Sequence, residues 1–226
     1  MRSITCLVLY VLSTSVIFSQ KLNEKQIKDS ILSVYGNMNE VHMSVYSRTD
    51  VKGQESINFT YHLYKKRNEF YIKYSNMEVI FNTSMVLMVV PDQKVFVIRP
   101  VTEYEAKGMR EMVLPQMSNA QDTTTYHFSE VEKYYTSVTS NPTEDIAKMI
   151  YFYSKTTFLL EKVEYVFSNT KEREDQKTSV NYTYSKLTPG VNYFNTDKYI
   201  IKTAKGYVPT AAYPSYSISL NDPYEN

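Results

Sequence analysis

The sequence predicts an α+β chain that is mainly β, one amphipathic helix followed by a long antiparallel meander. Three observations predict it. Beyond residue 40 the apolar residues recur with a period of two, the signature of strands with one covered face. The strand-like runs are separated by short polar turns of hairpin length. No alternation of strand and helix of the kind a parallel sheet needs occurs anywhere in the 226 residues.

The helix comes first. Asn23 stands where an N-cap belongs, and Gln26 completes a capping box three residues on. Ile27, Ile31, Val34, Tyr35 and Met38 share one face of a 3.6-residue period, and Gly36 supplies the stop. The period then changes to two. Val41, Met43 and Val45 alternate with polar neighbours, as do Ile57, Phe59, Tyr61 and Leu63, and then Phe70, Ile72 and Tyr74. Arg67-Asn68 and Asn76 mark the breaks between these strands. The runs Met77 to Phe81, Met85 to Val90 and Lys94 to Ile98 are more continuously apolar, which predicts strands covered on both faces.

Residues 99–126 break the alternation. Pro100 and Pro115 interrupt it, and Met109, Met112, Leu114 and Met117 fall at roughly helical spacing, a short interrupted helical insertion. Strands resume near Tyr126. The run from Phe158 to Ser168 puts Leu159, Val163, Tyr165 and Phe167 on one face, and Val180, Tyr182 and Tyr184 alternate further on. In all, about ten strands are expected. A tail from residue 204 to 226, carrying Gly206, Pro209, Pro214 and Pro223, either wraps the sheet as an edge or stays loose.

The first nineteen residues are of another kind. Met1-Arg2-Ser3 gives a short basic start, Ile4 to Phe18 is almost uncharged and apolar, and Ser19 is a small residue at a cleavage position. This predicts a signal peptide over 1–19 and one β domain over 20–226, in a periplasm or secreted. The single cysteine, Cys6, lies inside the leader, so the mature chain is expected to have no disulfide and no thiol nucleophile. The 25 basic and 24 acidic residues balance, which argues against nucleic acid as a partner.

No catalytic pattern is present. The chain has five glycines and no phosphate-binding loop, no HExxH and no G-x-S-x-G elbow. His42 and His62 occupy the polar phases of two strands and could meet across a sheet, but a metal site wants a third ligand, and solvent-facing histidines are the plainer reading. Glu130 and Glu132 share a strand face in this reading, as a solvated pair. No cofactor, no metal and no enzyme activity are therefore expected. The 22 tyrosines, with no tryptophan, suit half-buried sheet positions with wet hydroxyls, and the same rings could line a lipid- or sugar-contacting surface.

The order of elements resembles the periplasmic outer-membrane lipoprotein carriers, the LolA/LolB-like superfamily. The segment Asn23 to Met38 matches their opening helix, Met77 to Asn82 through Val95 to Ile98 their central hairpins, and 103–119 the position of their lid helices. The segments Tyr151 to Tyr153, Val163 to Phe167 and Val180 to Tyr184, ending in Phe194 and Tyr199 where a further strand runs to Lys202, look like their last strands. The stretch Arg67 to Lys73 departs from the family's early Arg-Pro and Phe-Arg element, so its lid-holding arginine has no counterpart here and the resemblance is to a divergent member. The resemblance implies an antiparallel half-barrel or curved sheet with the N-terminal helix and lid helices on its concave face. It further implies a monomer that binds an acylated or otherwise hydrophobic ligand, or a lipoprotein, without covalent chemistry, and that meets membrane-associated donors or acceptors. Expected lining residues are Val41, Met43, Val45, Ile57, Phe59, Tyr61, Phe70, Ile72, Val79 and Phe81, with Met109, Met112 and Met117 on the lid. The alternative is a structural or protein-interaction module of the envelope with a permanently filled core.

Overall fold

The computed structural model describes residues 21–102, 127–140, 146–167 and 176–220. The leader, the insertion with Met109, Met112 and Met117, and the last six residues lie outside the described residues.

Helix α1 spans Glu24–Gly36. The capping box forms as its residue types require. Gln26 N–H donates to Asn23 Oδ1 at 2.9 Å, and Asn23 N–H donates to Gln26 Oε1 at 2.9 Å. A meander follows: β1 Glu40–Val51, β2 Ile57–Lys66, β3 Glu69–Tyr74, β4 Met77–Phe81, β5 Met85–Val90 and β6 Val95–Pro100. A second meander follows the insertion: β7 Phe128–Val131, β8 Tyr134–Ser140, β9 Ile146–Ser154, β10 Leu160–Phe167 and β11 Gln176–Ser185. Then come β12 Ile200–Thr203, β13 Gly206–Pro209 and β14 Ser217–Ser219.

The two meanders join where β11 pairs antiparallel with β1, so the sheet runs β14-β6-β5-β4-β3-β2-β1-β11-β10-β9-β8-β7. Its end strands do not meet. The result is a curved, unclosed, antiparallel-dominated sheet, a half-barrel. The tight turns use residues tolerant of left-handed backbone only at a cost. Arg67, Ser75, Lys94, Glu132 and Phe158 all have positive φ. Phe158 therefore belongs to the turn, its N–H donating to Ser154 O at 2.8 Å, and β10 begins two residues later than the apolar run in sequence. Glu132 likewise sits in the β7–β8 turn, so it shares no strand face with Glu130.

Directly opposed residues of antiparallel strands share a face. The inner face holds α1. Its Ile27, Ile31 and Tyr35 pack against Met43, Val45, Leu63, Phe70, Phe81, Val86, Tyr135, Tyr153, Leu160 and Val163. Full burial of one such apolar side chain is worth about 1.5–3 kcal/mol, which is why the helix keeps its apolar stripe on the sheet.

The outer face of β3 to β6 carries a second core. Tyr71, Ile80, Leu87, Val89, Phe96 and Ile98 pack against Phe194, Tyr199 and Ile200. This explains the continuous apolar runs of β4 to β6, which are covered from both sides. The covering strap is the chain beyond β11. It crosses the outer face, forms the β12–β13 ribbon, and returns as β14 in the one parallel pairing among the described residues, Ser217 to Ser219 beside Val95 to Val97. The tail is thus both an edge and a cover, and it is not loose over its described length. Glu78 fastens it: Tyr71 donates to Glu78 Oε2 at 2.9 Å, Tyr199 donates to the same oxygen, and Lys198 Nζ lies 3.7 Å away.

Candidate functional site: the open half of the concave face

Helix α1 covers only part of the inner face. A closed hydrogen-bond ring fixes where it sits. Leu160 N–H donates to the Tyr35 hydroxyl at 2.9 Å, Tyr35 meets the Tyr184 hydroxyl at 3.0 Å, and Tyr184 donates to Leu160 O at 2.9 Å. Burial pushes both phenols up. The ring ties α1 to β10 and β11 near one end of the strands.

Toward the other end the register lays out three rows. The first holds Tyr74, Tyr61, Val45 and Tyr182 on β3, β2, β1 and β11. The next holds Phe59, Ser47, Val180, Val163 and Tyr151. The third holds Ile57, Thr49, Thr178, Tyr165 and Met149. Thr49 and Thr178 satisfy each other through their hydroxyls at 2.8 Å, so the floor of the third row offers methyls rather than bare polar groups. Between neighbouring strands the spacing is ~4.8 Å, so four strands make a trough roughly 14 Å across. Val45 and Ser47 are themselves buried, Val180 is half-buried, and aromatic rings flank them.

All ten described lining residues expected from sequence lie on this inner face, and the structure divides them into two groups. Val41, Met43, Val45, Phe70 and Phe81 are buried. All but Val41 belong to the helix–sheet core, where they pack rather than line open space. Tyr61, Ile72 and Val79 are half-buried at its border. Ile57 and Phe59 are exposed to 63% and 42%, and Tyr74, which the list of expected residues omitted, to 41%. Such exposure of large apolar side chains on an inner face marks the half that the described elements leave uncovered. Tyr165 and Tyr182 were also missed as site residues. Their alternation is legible, but only the β1–β11 pairing brings them onto one face with Tyr61.

The outer face holds the histidine pair. His42 Nε2 and His62 Nδ1 lie 3.2 Å apart, each near Ser44 Oγ, and His42 Nδ1 lies 3.0 Å from Ser185 Oγ. His42 stacks on Tyr64 at 4.3 Å between centroids, and Tyr64 on Tyr193 of the strap at 4.2 Å. Among the described residues no group of three or more His, Cys, Asp or Glu side chains could hold a metal. No helix among them is long and apolar enough to cross a membrane.

No protein-family model matches the sequence, and no curated protein does. Among solved structures the chain is similar to a LolA superfamily protein from Nitrosomonas europaea, at 11% identity over 78% of this chain and 99% of that one, with a TM-score of 0.37. It is also similar to a chain of the complex between the CwlD amidase and the GerS lipoprotein of Clostridioides difficile, at 13% identity over 76% of this chain and 98% of that one, TM-score 0.31. A third is a chain of the Pseudomonas aeruginosa MucA/MucB complex, at 8% identity over 73% of this chain and 59% of that one, TM-score 0.40.

Proposed function

We propose that this protein binds and transports a hydrophobic or acylated ligand, or the acylated part of a lipoprotein, in the half-barrel, without covalent chemistry. The observation that carries the reading is the partial cover of the inner face. An apolar trough flanked by Phe59, Tyr61, Tyr74 and Ile57 is left half-buried to exposed beside a core that is already filled. Each methylene moved from water into such a trough gains about 0.8 kcal/mol, so an acyl chain offers ample driving force. Release needs only a partner or membrane of higher affinity. The basic, apolar and small-residue leader supports an envelope location, the periplasm or outside, after its removal. Membrane-associated donors and acceptors are the matching partners, and the working form is a monomer that is not an enzyme.

A second reading has its own observation. The outer face of β8 to β10 exposes Val138 and Val166 to 45% and 38%, as a protein-interaction module would. One experiment separates the two. Native mass spectrometry of the mature protein from its own envelope is expected to show a co-purifying acylated species, lost in Phe59→Asp. A bare protein mass, in wild type and variant alike, would leave the interaction module as the better account.

A further inference from the structure

A trough for bare hydrocarbon needs no polar lining, yet the three rows of this one carry five tyrosines. Tyr61, Tyr165 and Tyr182 come from β2, β10 and β11, lie on the inner face by register, and are each half-buried. Tyr61 and Tyr182 flank Val45 in one row, and Tyr165 stands two rows, four residues, further toward the open end, in the row of Ile57. Unlike Tyr35 and Tyr184, which close a hydrogen-bond ring, these three make no hydrogen bond to any described residue. Nor are their oxygens sealed in the protein; among the described residues the fully enclosed unpartnered side-chain oxygen is Ser137 Oγ. They therefore face the open space of the trough. Burial pushes all three phenols up, and the charge that Tyr165 would carry raises Tyr61 and Tyr182 further, so each is a neutral O–H donor at neutral pH.

Open to water before a ligand enters, these donors would lose that partner when hydrocarbon displaces the water, a cost that a ligand oxygen able to accept from them avoids. Around them the surface is apolar: Phe59, Val180, Met149 and Tyr74. We propose that Tyr61, Tyr165 and Tyr182 form a subsite for a carbonyl-type oxygen, so that the trough selects amphiphiles whose acyl chain carries an ester, amide or carboxylate over hydrocarbon of equal length. The inference rests on the ligand-binding reading above. Tyr61 and Tyr182 stand at the inner end of the trough, next to the helix-covered core, and Tyr165 in the row of Ile57, so the acceptor lies between those rows, beside Phe59 and Val180. Phenols fit this task because each ring keeps its apolar edge toward the chain while its hydroxyl reads the linkage.

The test uses the full mature chain and diphenylhexatriene, a pure hydrocarbon fluorophore, displaced by cyclodextrin-delivered hexadecane, methyl palmitate, palmitamide or palmitate. Binding of the fluorophore tests the trough itself; the order of displacement tests the tyrosines. Wild type is expected to prefer at least one carbonyl ligand over hexadecane by about tenfold or more, from one to three hydrogen bonds. Which of the three wins identifies the linkage. The variant Y61F/Y165F/Y182F keeps every ring, and the ratio of carbonyl-ligand to hexadecane affinity, read within the variant itself, is expected to fall to about one. Equal affinities for hexadecane and all three carbonyl ligands in wild type, or an unchanged preference in the variant, overturns the subsite while leaving the trough. Failure of wild type to bind the fluorophore overturns both.

Discussion

The Tyr35 hydroxyl shows how one atom locates a whole helix. It accepts the Leu160 N–H and meets Tyr184, which in turn donates to Leu160 O. Tyr35→Phe keeps the ring but strands a buried N–H, so it is expected to cost about 1–3 kcal/mol, read as a lower urea midpoint with unchanged slope. A loss within error would mean that water replaces the hydroxyl and the ring is not what seats α1. The histidine pair makes a second residue-scale prediction. Burial, then the neighbouring His62, hold His42 below its ordinary 6.5. Between the lowered value and 6.5 the folded state binds fewer protons than the unfolded chain, so this contribution is intact above 6.5 and is lost as pH falls below it. Urea midpoints are expected to drop between pH 7.5 and pH 5.5, and the drop to shrink in His42→Asn; an identical drop in the variant would assign it elsewhere. At this scale much was legible in sequence. The Asn23–Gln26 capping box and the meeting of His42 with His62 follow from spacing and alternation, both local. The Tyr35–Tyr184–Leu160 ring was not, because it joins residues more than a hundred positions apart.

Among the elements, α1 and the C-terminal strap divide the sheet's two faces. The helix covers the inner face near one strand end, and the strap covers the outer face of β3 to β6. The strap's anchor is Tyr199, which is buried, packs edge-on to Phe96, and donates to Glu78. Tyr199→Ala removes ring and hydroxyl together and is expected to destabilise by about 3 kcal/mol or more, with increased dye binding as Leu87, Phe96 and Ile98 become accessible. Unchanged thermal stability would show that the strap adds nothing to the core. Sequence foretold that β4 to β6 are covered twice, since Ile80-Phe81, Val86-Leu87 and Phe96-Val97-Ile98 leave no polar phase. It did not foretell the cover. A strand from Tyr199 to Lys202 is legible and stands as β12, but that Phe194, Tyr199 and Ile200 cover the outer face depends on packing rather than on local pattern. The strands of the two meanders, by contrast, announced themselves by alternation and hairpin turns.

For the whole molecule, the inner face is half core and half trough. Alternation gave the correct face for every described lining residue expected, from Val41 to Phe81. It could not say which of them α1 covers, because that depends on where the helix docks. So Met43 and Phe70 prove to be core, while Phe59 and Ile57 stand open. Tyr165 and Tyr182 entered the site only through the pairing of β1 with β11, a contact between the chain's two halves. The central claim is that a hydrophobic ligand occupies the open half of the concave face. The most direct test is paramagnetic broadening of backbone amide signals by stearate carrying a nitroxide near its methyl end. The account predicts broadening at Ile57, Phe59, Tyr61, Val180 and Tyr165, with Leu87 and Phe96 under the strap spared. Broadening centred on Val138 and Val166 of the outer face, or no broadening at all, would contradict it.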